Sequence, residues 1–471
     1  MQHVERESAD GPAELVFLGG TVHTLGTGER AAATALAVRH GRVTRVGRDE
    51  EVVQQIGRKT RVVELSGRAV IPGINDSHMH ATWLGAMWPR TIFDTAGALA
   101  PVDPEGEAGH ATGPRLGTRG ERRAAILAAG RLAATLGITS YTEPGLGPGE
   151  DDGPTGCFGQ AVFEEYVALE AERLLLARVN VLLLFGELDG PSHLHDYVDG
   201  MRGASRETAR PAWLRIAGVK IFADGIPPMH TAWTHGRYPD GTSGRLMVSG
   251  LDDAEREANL RSMIRVAHRA GYQVGVHATG DRSIAVAVDA VAEAMREHRV
   301  DLRHYVIHGD LVTAEVLGSM AENGMGLNVQ PGIAVKTSGW VAGVLGEDAA
   351  GSAWPIADAL ASGVNVCLSS DAPVLSPDWR EGIAAADAWM GPAKGGEQVA
   401  RMLALLRAYT VAPARQDGAD GWKGTLDDGR VADLCVLATD PITVAPAELP
   451  SVPIDMTVVD GEVVFERAHS S

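Results

Sequence analysis

Apolar positions along the chain fall into two textures. Between about residues 74 and 370, short runs that are apolar on both faces alternate with stretches whose apolar positions repeat at helical spacing. Val181-Leu182-Leu183-Leu184-Phe185 is the clearest of the short runs. A strand apolar on both faces is what a covered parallel sheet requires. Candidate strands end near Ile74, Glu143, Phe185, Ala223, Ala278, Gly309, Gln330 and Ser370. Helical patterns occupy 120–136, 161–177, 254–270, 282–297 and 312–323 between them. Eight strand–helix units in series predict an α/β fold, a (β/α)8 TIM barrel. An open doubly wound sheet is the competing arrangement, and it is weakened because no G-x-G-x-x-G opens a first helix.

The two ends of the chain read differently. Residues 14–18, 35–46 and 61–71 are short β-type runs split by glycine turns, with a hairpin turn at His40-Gly41-Arg42. Residues 431–437 and 455–465 repeat the texture, with a turn at Asp460-Gly461. Neither end has enough strands to be stable alone. One small β-sandwich is therefore expected, built from residues 1–70 and 416–471 and flanking a barrel over 71–415.

Composition narrows the partners. Lys+Arg 42 against Asp+Glu 61 gives a net charge of −19. That balance repels phosphate backbones and gives no pull toward anionic lipid, so neither a nucleic-acid nor a membrane partner is expected. No run of 18 apolar residues exists. The N-terminal MQHVERESADGP is polar and acidic and lacks the apolar segment of a secretory leader, so a cytoplasmic location is expected. Cys157, Cys367 and Cys435 are too far apart for a CxxC knuckle and too few for a disulfide framework.

The candidate chemistry lies in placement. Five candidate strands run apolar and then stop at a residue able to bind a metal. The first ends in His78-Met79-His80, the fourth holds Lys220, the fifth His277, the sixth His308 and the eighth Asp371. In a barrel, all C-terminal strand ends open on one mouth, where active sites sit. His78 and His80 are two apart on extended chain and point the same way, so both imidazoles can reach one ion. The second such pair, His193/His195, follows turn residues and reads as a loop. Lys220 is unusual: only five of the 42 Lys+Arg residues are Lys, yet one sits inside an apolar strand. It is either a snorkelling edge residue or a desolvated amine with a lowered pKa. Taken singly, His277 and His308 read equally as satisfied core histidines, and Asp371 as a helix cap. Taken jointly, those readings need five separate excuses.

The order H-x-H, K, H, H, D resembles the amidohydrolase superfamily. VKIFADG (219–225), VHATGDRSI (276–284) and SSDAPV (369–374) resemble its YtcJ-like branch, which includes N-substituted formamide deformylase. Gly424 to Leu434 resembles the superfamily's return into its β-sandwich. The resemblance implies a binuclear divalent site, with zinc as the expected metal. His78, His80 and Asp371 would hold one ion, His277 and His308 the other, and Lys220, carboxylated on its amine, would bridge the two. Asp371 would also be catalytic, taking the proton of the attacking water. The sequence departs from the branch after Asp224-Gly225, where Ile-Pro-Pro-Met-His-Thr-Ala-Trp replaces a Gly/Ser-rich stretch, and at His308-Gly309-Asp310, where Ala-Gln more often follows the histidine. The substrate therefore does not carry over.

Trp83, Trp88, Trp233, Trp340 and Trp379 follow candidate strand ends, which suggests an apolar or aromatic part in a small-molecule substrate, although ordinary loop packing is an equal reading. Tyr141, His230, His235 and Arg237 are candidates for binding its polar group. The expected function is a metal-dependent hydrolase of a C–N bond: an amide, N-formyl or cyclic amide. Hydrolysis of an ester or lactone, or a decarboxylation, fits the same scaffold, and a non-catalytic regulatory protein is the reading of another class. A homodimer is the default assembly.

Overall fold

The computed structural model describes residues 11–26, 33–95 and 115–468. In it, the run from Ala69 to His80, which reads as one strand in the sequence, is divided at Gly73. Ala69–Pro72 joins a small sheet, and the first barrel strand, β1, is only Ile74–Asp76. A Cβ at Gly73 would sit 2.2 Å from the Thr139 hydroxyl, so glycine alone lets the chain pass so close at this crossing.

Seven further strands follow: β2 (Ile138–Leu146), β3 (Arg178–Leu184), β4 (Leu214–Phe222), β5 (Gln273–Ala278), β6 (Tyr305–His308), β7 (Gly326–Val329) and β8 (Asn365–Leu368). They pair in sequential order, every pair parallel. β1 and β8 meet just beyond their C-terminal ends, where the Asp371 amide donates to the His78 carbonyl at 2.9 Å. The result is the eight-stranded barrel that the apolar alternation predicts.

Helices Arg119–Thr135, Gln160–Ala171, Asp253–Arg269, Asp281–Glu297 and Ala314–Glu322 lie between strands. Side-chain caps fix three of the starts: Thr118 with Glu121 in a capping box, Asp252 and Thr313. The second helix ends at Ala171 rather than 177, and Arg173, at φ 61°, turns the chain toward β3.

The end segments form two facing sheets. Arg42–Gly47, Ala35–Arg39, Leu15–Leu18 and Arg61–Glu64 make the first, in that order. Glu462–Glu466, Ile454–Val459, Leu434–Leu437, Ala69–Pro72 and Thr21–Val22 make the second. Phe17, Leu36 and Val38 pack against Val70, Val436 and Val458 between them. The run 35–46 is the two strands of the expected hairpin, and the run 61–71 is divided between the two sheets. Two tight hairpins carry left-handed pairs, His40 and Gly41 at φ 50° and 70°, and Asp460 and Gly461 at φ 54° and 80°. The polar stretch 1–10 lies outside the described residues. Among the described residues no helix is long and apolar enough to cross a membrane.

The chain's C-terminal part also closes the barrel end opposite the mouth. Buried Lys423 donates to Asp417 and Ser140, each at 2.7 Å, and Asn75 donates to the same Asp417 oxygen at 2.7 Å. Arg178, the first residue of β3, pairs with Asp433 at 2.7 Å. Nearby, the Val274 amide donates to His304 Nδ1 at 2.9 Å, His304 Nε2 faces His268 Nδ1 at 2.8 Å, and His268 Nε2 faces the His298 carbonyl at 2.6 Å. The amide at one end and the carbonyl at the other allow one proton assignment: both rings are neutral, each a single tautomer.

Burial and the neighbouring His268 push the His304 imidazole down to about 3. A depressed histidine gives stability that is full above its unfolded value and is lost as pH falls from about 6.5 toward 3. Each pH unit in that window costs about 1.4 kcal/mol. The expected outcome is a thermal unfolding temperature that declines less steeply between pH 7 and 4.5 in His304→Asn than in the parent. Equal slopes would show that this histidine chain does not govern acid sensitivity.

Candidate functional site

The C-terminal ends of β1, β4, β5, β6 and β8 deliver six buried side chains to one place: His78, His80, Lys220, His277, His308 and Asp371. Asp371 Oδ1 is the hub. It lies 3.2 Å from His78 Nε2 and 3.4 Å from His80 Nε2. The rings of His78 and His80 are 5.2 Å apart, those of His78 and His308 5.4 Å, and those of His277 and His308 4.5 Å. One donor atom from each of His78, His308 and Asp371 falls within 4.8 Å of the others. Lys220 Nζ sits 4.5 Å from the Phe222 ring centre, and that ring is 5.1 Å from His277. His308 and Asp371 hold left-handed backbone, φ 73° and 56°, a conformation non-glycine residues adopt at a cost.

The protonation states suit cation binding. Burial, then the Lys220 charge, hold His78 well below the usual imidazole range. Burial, then His308, do the same to His277, and burial takes His308 down to about 4. Burial lowers the Lys220 amine to about 8 against the opposing pull of Asp371. Burial alone would raise Asp371, but its histidine neighbours, His78 foremost, hold it well below the usual carboxylate range. The imidazoles keep free lone pairs and the carboxylate keeps its charge, as metal ligation requires.

Buried atoms here without a hydrogen-bond partner include His78 Nδ1, His80 Nδ1, Asp371 Oδ1 and Glu143 Oε1. Orphaned buried donors and acceptors are costly, and a cluster of them rich in nitrogen and oxygen donors fits a divalent cation. The outer contacts point the same way. His308 Nδ1 is fixed by Gln330 Oε1 at 2.8 Å, and Gln330 in turn donates to Ser369 at 2.9 Å. His277 Nε2 donates to the Gly225 carbonyl at 3.2 Å. Each ring is thus held by one nitrogen and leaves the other free. Asp224 ties the β4 and β5 ends together, accepting from the amides of Trp233, Thr279 and Gly280 at 2.8 to 3.0 Å and from the Ser283 hydroxyl.

Other sequence candidates are placed variously. Trp83 stacks edge-on to Phe158 at 5.6 Å and to His80 at 6.4 Å, so it lines the cluster. Tyr141 is buried behind it with its hydroxyl toward Tyr166. Trp340 stacks on Phe93 at 5.8 Å, Trp88 is exposed, and Trp233 is buried beneath Arg282. His230 stacks on Tyr238 and pairs with Asp240 at 2.9 Å in a cleft of about 690 Å³ that none of the six clustered residues lines. His235 and Arg237 are exposed. Trp379 is not at the mouth: it is fully buried, and its indole donates to the Leu136 carbonyl at the C-cap of the helix that leads into β2. His193 and His195 start the helix Leu194–Gly203 instead of lying in a loop, and His195 is exposed. Sequence reading missed Glu143, Phe158, Gln330 and Asp310. Asp310 is buried and accepts from the Trp354 indole at 2.8 Å. Gln330 stands just past the end of β7, the very signal that singled out the ligand candidates, whereas Glu143 lies inside β2, which runs on to Leu146 beyond the end that the apolar pattern predicts.

Residues 105–465 match the amidohydrolase family. The chain belongs to that family. It is 25% identical to N-substituted formamide deformylase of Arthrobacter pascens over 97% of this chain and 99% of that protein. It is 28% identical to the putative amidohydrolase YtcJ of Bacillus subtilis over 58% of this chain, and that match spans about half, 51%, of the relative's length. Among solved structures, an uncharacterised metal-dependent hydrolase from Pyrococcus furiosus superimposes with a TM-score of 0.69 at 21% identity, covering 91% of this chain and all of that one. At that identity the likeness is one of fold, and the fold is this family's barrel with a small β-sandwich.

Asp224→Ala leaves three amides and a hydroxyl at the β4–β5 rim without their acceptor. It is expected to lower stability by about 3 kcal/mol or more, read as a fall in the urea midpoint. A loss under about 1 kcal/mol would mean that other groups hold the rim.

Proposed function

We propose that this amidohydrolase cleaves a C–N bond of a small molecule (an amide, N-formyl or cyclic amide) with a water activated at a pair of divalent ions. The observation that carries the reading is the convergence of His78, His80, His277, His308 and Asp371 on one buried spot where unsatisfied donor atoms face each other. His78, His80 and Asp371 would hold one ion, and His277 and His308 the other. Zinc suits the imidazole-rich set. Lys220 would bridge as a carbamate: its neutral amine adds to carbon dioxide, a C–N bond forms and one proton leaves. That change replaces a buried cation, costly there, with an anionic oxygen ligand. When bound, the ions polarise a carbonyl and lower the pKa of a water toward neutrality.

The chain's own groups do the rest. Asp371, kept anionic by its histidine neighbours, is the base that takes the water's proton and returns it to the leaving nitrogen. The Trp83–Phe158 pair gives the cluster an apolar wall that limits water and suits an apolar substrate part. Full-length similarity to a deformylase places N-substituted formamides first among compounds to assay.

Metal analysis of the purified protein should find two ions per chain; a native protein without metal would favour a regulatory role instead. Lys220→Ala should lose bound metal and activity, with partial recovery on adding short-chain carboxylic acids, and undiminished activity in that variant refutes the bridge. Asp371→Asn should lower kcat by at least ~100-fold, the usual worth of a general base, while KM stays close to the parent. Release of amine from formamides and amides, set against acid released from esters and lactones, decides the bond.

A further inference from the structure

Glu143 is one of the buried carboxylates that the proposed reaction leaves unused. It is fully buried within β2, three residues before the strand's last residue, Leu146. One oxygen, Oε2, is well anchored: it accepts from the Thr82 amide at 3.1 Å and from the Tyr166 hydroxyl at 3.0 Å. The other, Oε1, has no hydrogen-bond partner. It points at His80, whose Nδ1 is 3.9 Å away and is equally unpartnered. His80 presents its other nitrogen, Nε2, to Asp371 at 3.4 Å. The carboxylate, the imidazole and the cluster centre are therefore strung in series, with one gap a few tenths of an ångström too long for a hydrogen bond.

Two orphaned buried groups of complementary chemistry, facing each other and closed to water, are satisfied together by one small movement. A ring rotation of His80 of the kind that ligation imposes would bring Nδ1–H onto Oε1. We infer that Glu143 is a positioning residue for the metal centre: it takes the Nδ1 proton of His80 in a hydrogen bond, fixes that tautomer and so offers the Nε2 lone pair to an ion. The inference rests on reading His80 as a ligand. A histidine ligand whose second nitrogen is held by a carboxylate is better oriented and more basic, and loss of such a partner costs about 10- to 100-fold in metal affinity. The same contacts give Thr82 and Tyr166 their purpose. Both donate to Oε2, which leaves Oε1 alone to face the ring.

The polarity of the site makes glutamine an informative substitute. In Glu143→Gln the carboxamide oxygen must stay with Thr82 and Tyr166, because both are donors. Its NH2 then faces His80 Nδ1 and favours the tautomer with the proton on Nε2, which cannot ligate. Zinc affinity is measured by competition with a chromophoric chelator on purified full-length protein, together with thermal unfolding of the metal-free form. Glu143→Gln should bind zinc about 10- to 100-fold more weakly, with the full number of ions at saturation and an unfolding temperature close to the parent's. Introduced into a His80→Asn background, the same change should have no further effect on affinity, because the ring it orients is gone; a purely structural role would weaken both backgrounds alike. Should Glu143→Gln not fold, Tyr166→Phe, which loosens the Oε2 anchor, should weaken zinc binding by a smaller factor. Affinity unchanged in Glu143→Gln, or an equal loss with and without His80, overturns the inference. Loss of a whole ion at saturation overturns it too, since Glu143 would then be a ligand itself. If the parent protein binds no metal, the proposed function fails, a result distinct from a parent that binds zinc and a variant that binds it equally well.

Discussion

Everything in the barrel mouth depends on keeping one carboxylate, Asp371, charged in a place that water does not reach. A buried carboxylate is costly unless donors surround it. Asp371 faces the two imidazoles of the H-x-H pair, 3.2 and 3.4 Å from their Nε2 atoms, and a cation seated among the three would offset its charge. The backbone adds a bond of its own, since the Asp371 amide donates to the His78 carbonyl. The closure of the barrel and the assembly of the site are thus the same contact, between the ends of β1 and β8.

The cluster is held under strain by its surroundings. His308 and Asp371 keep left-handed backbone, and the packing around them supplies the compensation. Gln330 fixes one ring of the cluster and the Gly225 carbonyl another. Asp224, four residues along from Lys220, binds the β4 end to the β5 end and so sets where His277 stands. Such a shell keeps the donors within reach of one point before any ligand arrives, which is what precise sites require.

At the other end of the barrel the needs are different and so is the chemistry. Lys423, Asp417, Asn75 and Arg178 are tied together by ion pairs and hydrogen bonds, and the His268–His304 pair is neutral and fully bonded. The atoms left without partners there belong to the side-chain amides of Asn75 and Gln416, whereas those of His78, His80, Asp371 and Glu143 at the mouth belong to imidazoles and carboxylates, the groups that a cation takes. The ion pairs at this end also join the two-ended sandwich to the barrel, so both chain termini contribute to the rigidity of the strands that carry the site.

Much of this was legible in the sequence. Buried parallel strands must be apolar on both faces, so the eight runs stand out, and a metal-type residue ending such a run is conspicuous. His78, His80 and Lys220 were readable for that reason, as were the two left-handed hairpin turns. Other features depend on what lies across space. Gly73 divides one apparent strand between two sheets because Thr139 crowds it, and nothing near position 73 in the sequence says so. Trp379 follows a strand end yet packs far from the mouth, because the segment after β8 carries it to the Leu136 carbonyl. Glu143 stands where the apolar pattern ends its strand, yet β2 runs on to Leu146, and the meaning of Glu143 comes only from the unpartnered ring nitrogen of His80 opposite it. Local pattern determines which strands and helices form and which side chains they can offer. Which of those side chains meet, and which are left without a partner, is decided by long-range packing, since strand ends hundreds of residues apart become neighbours only when the barrel closes.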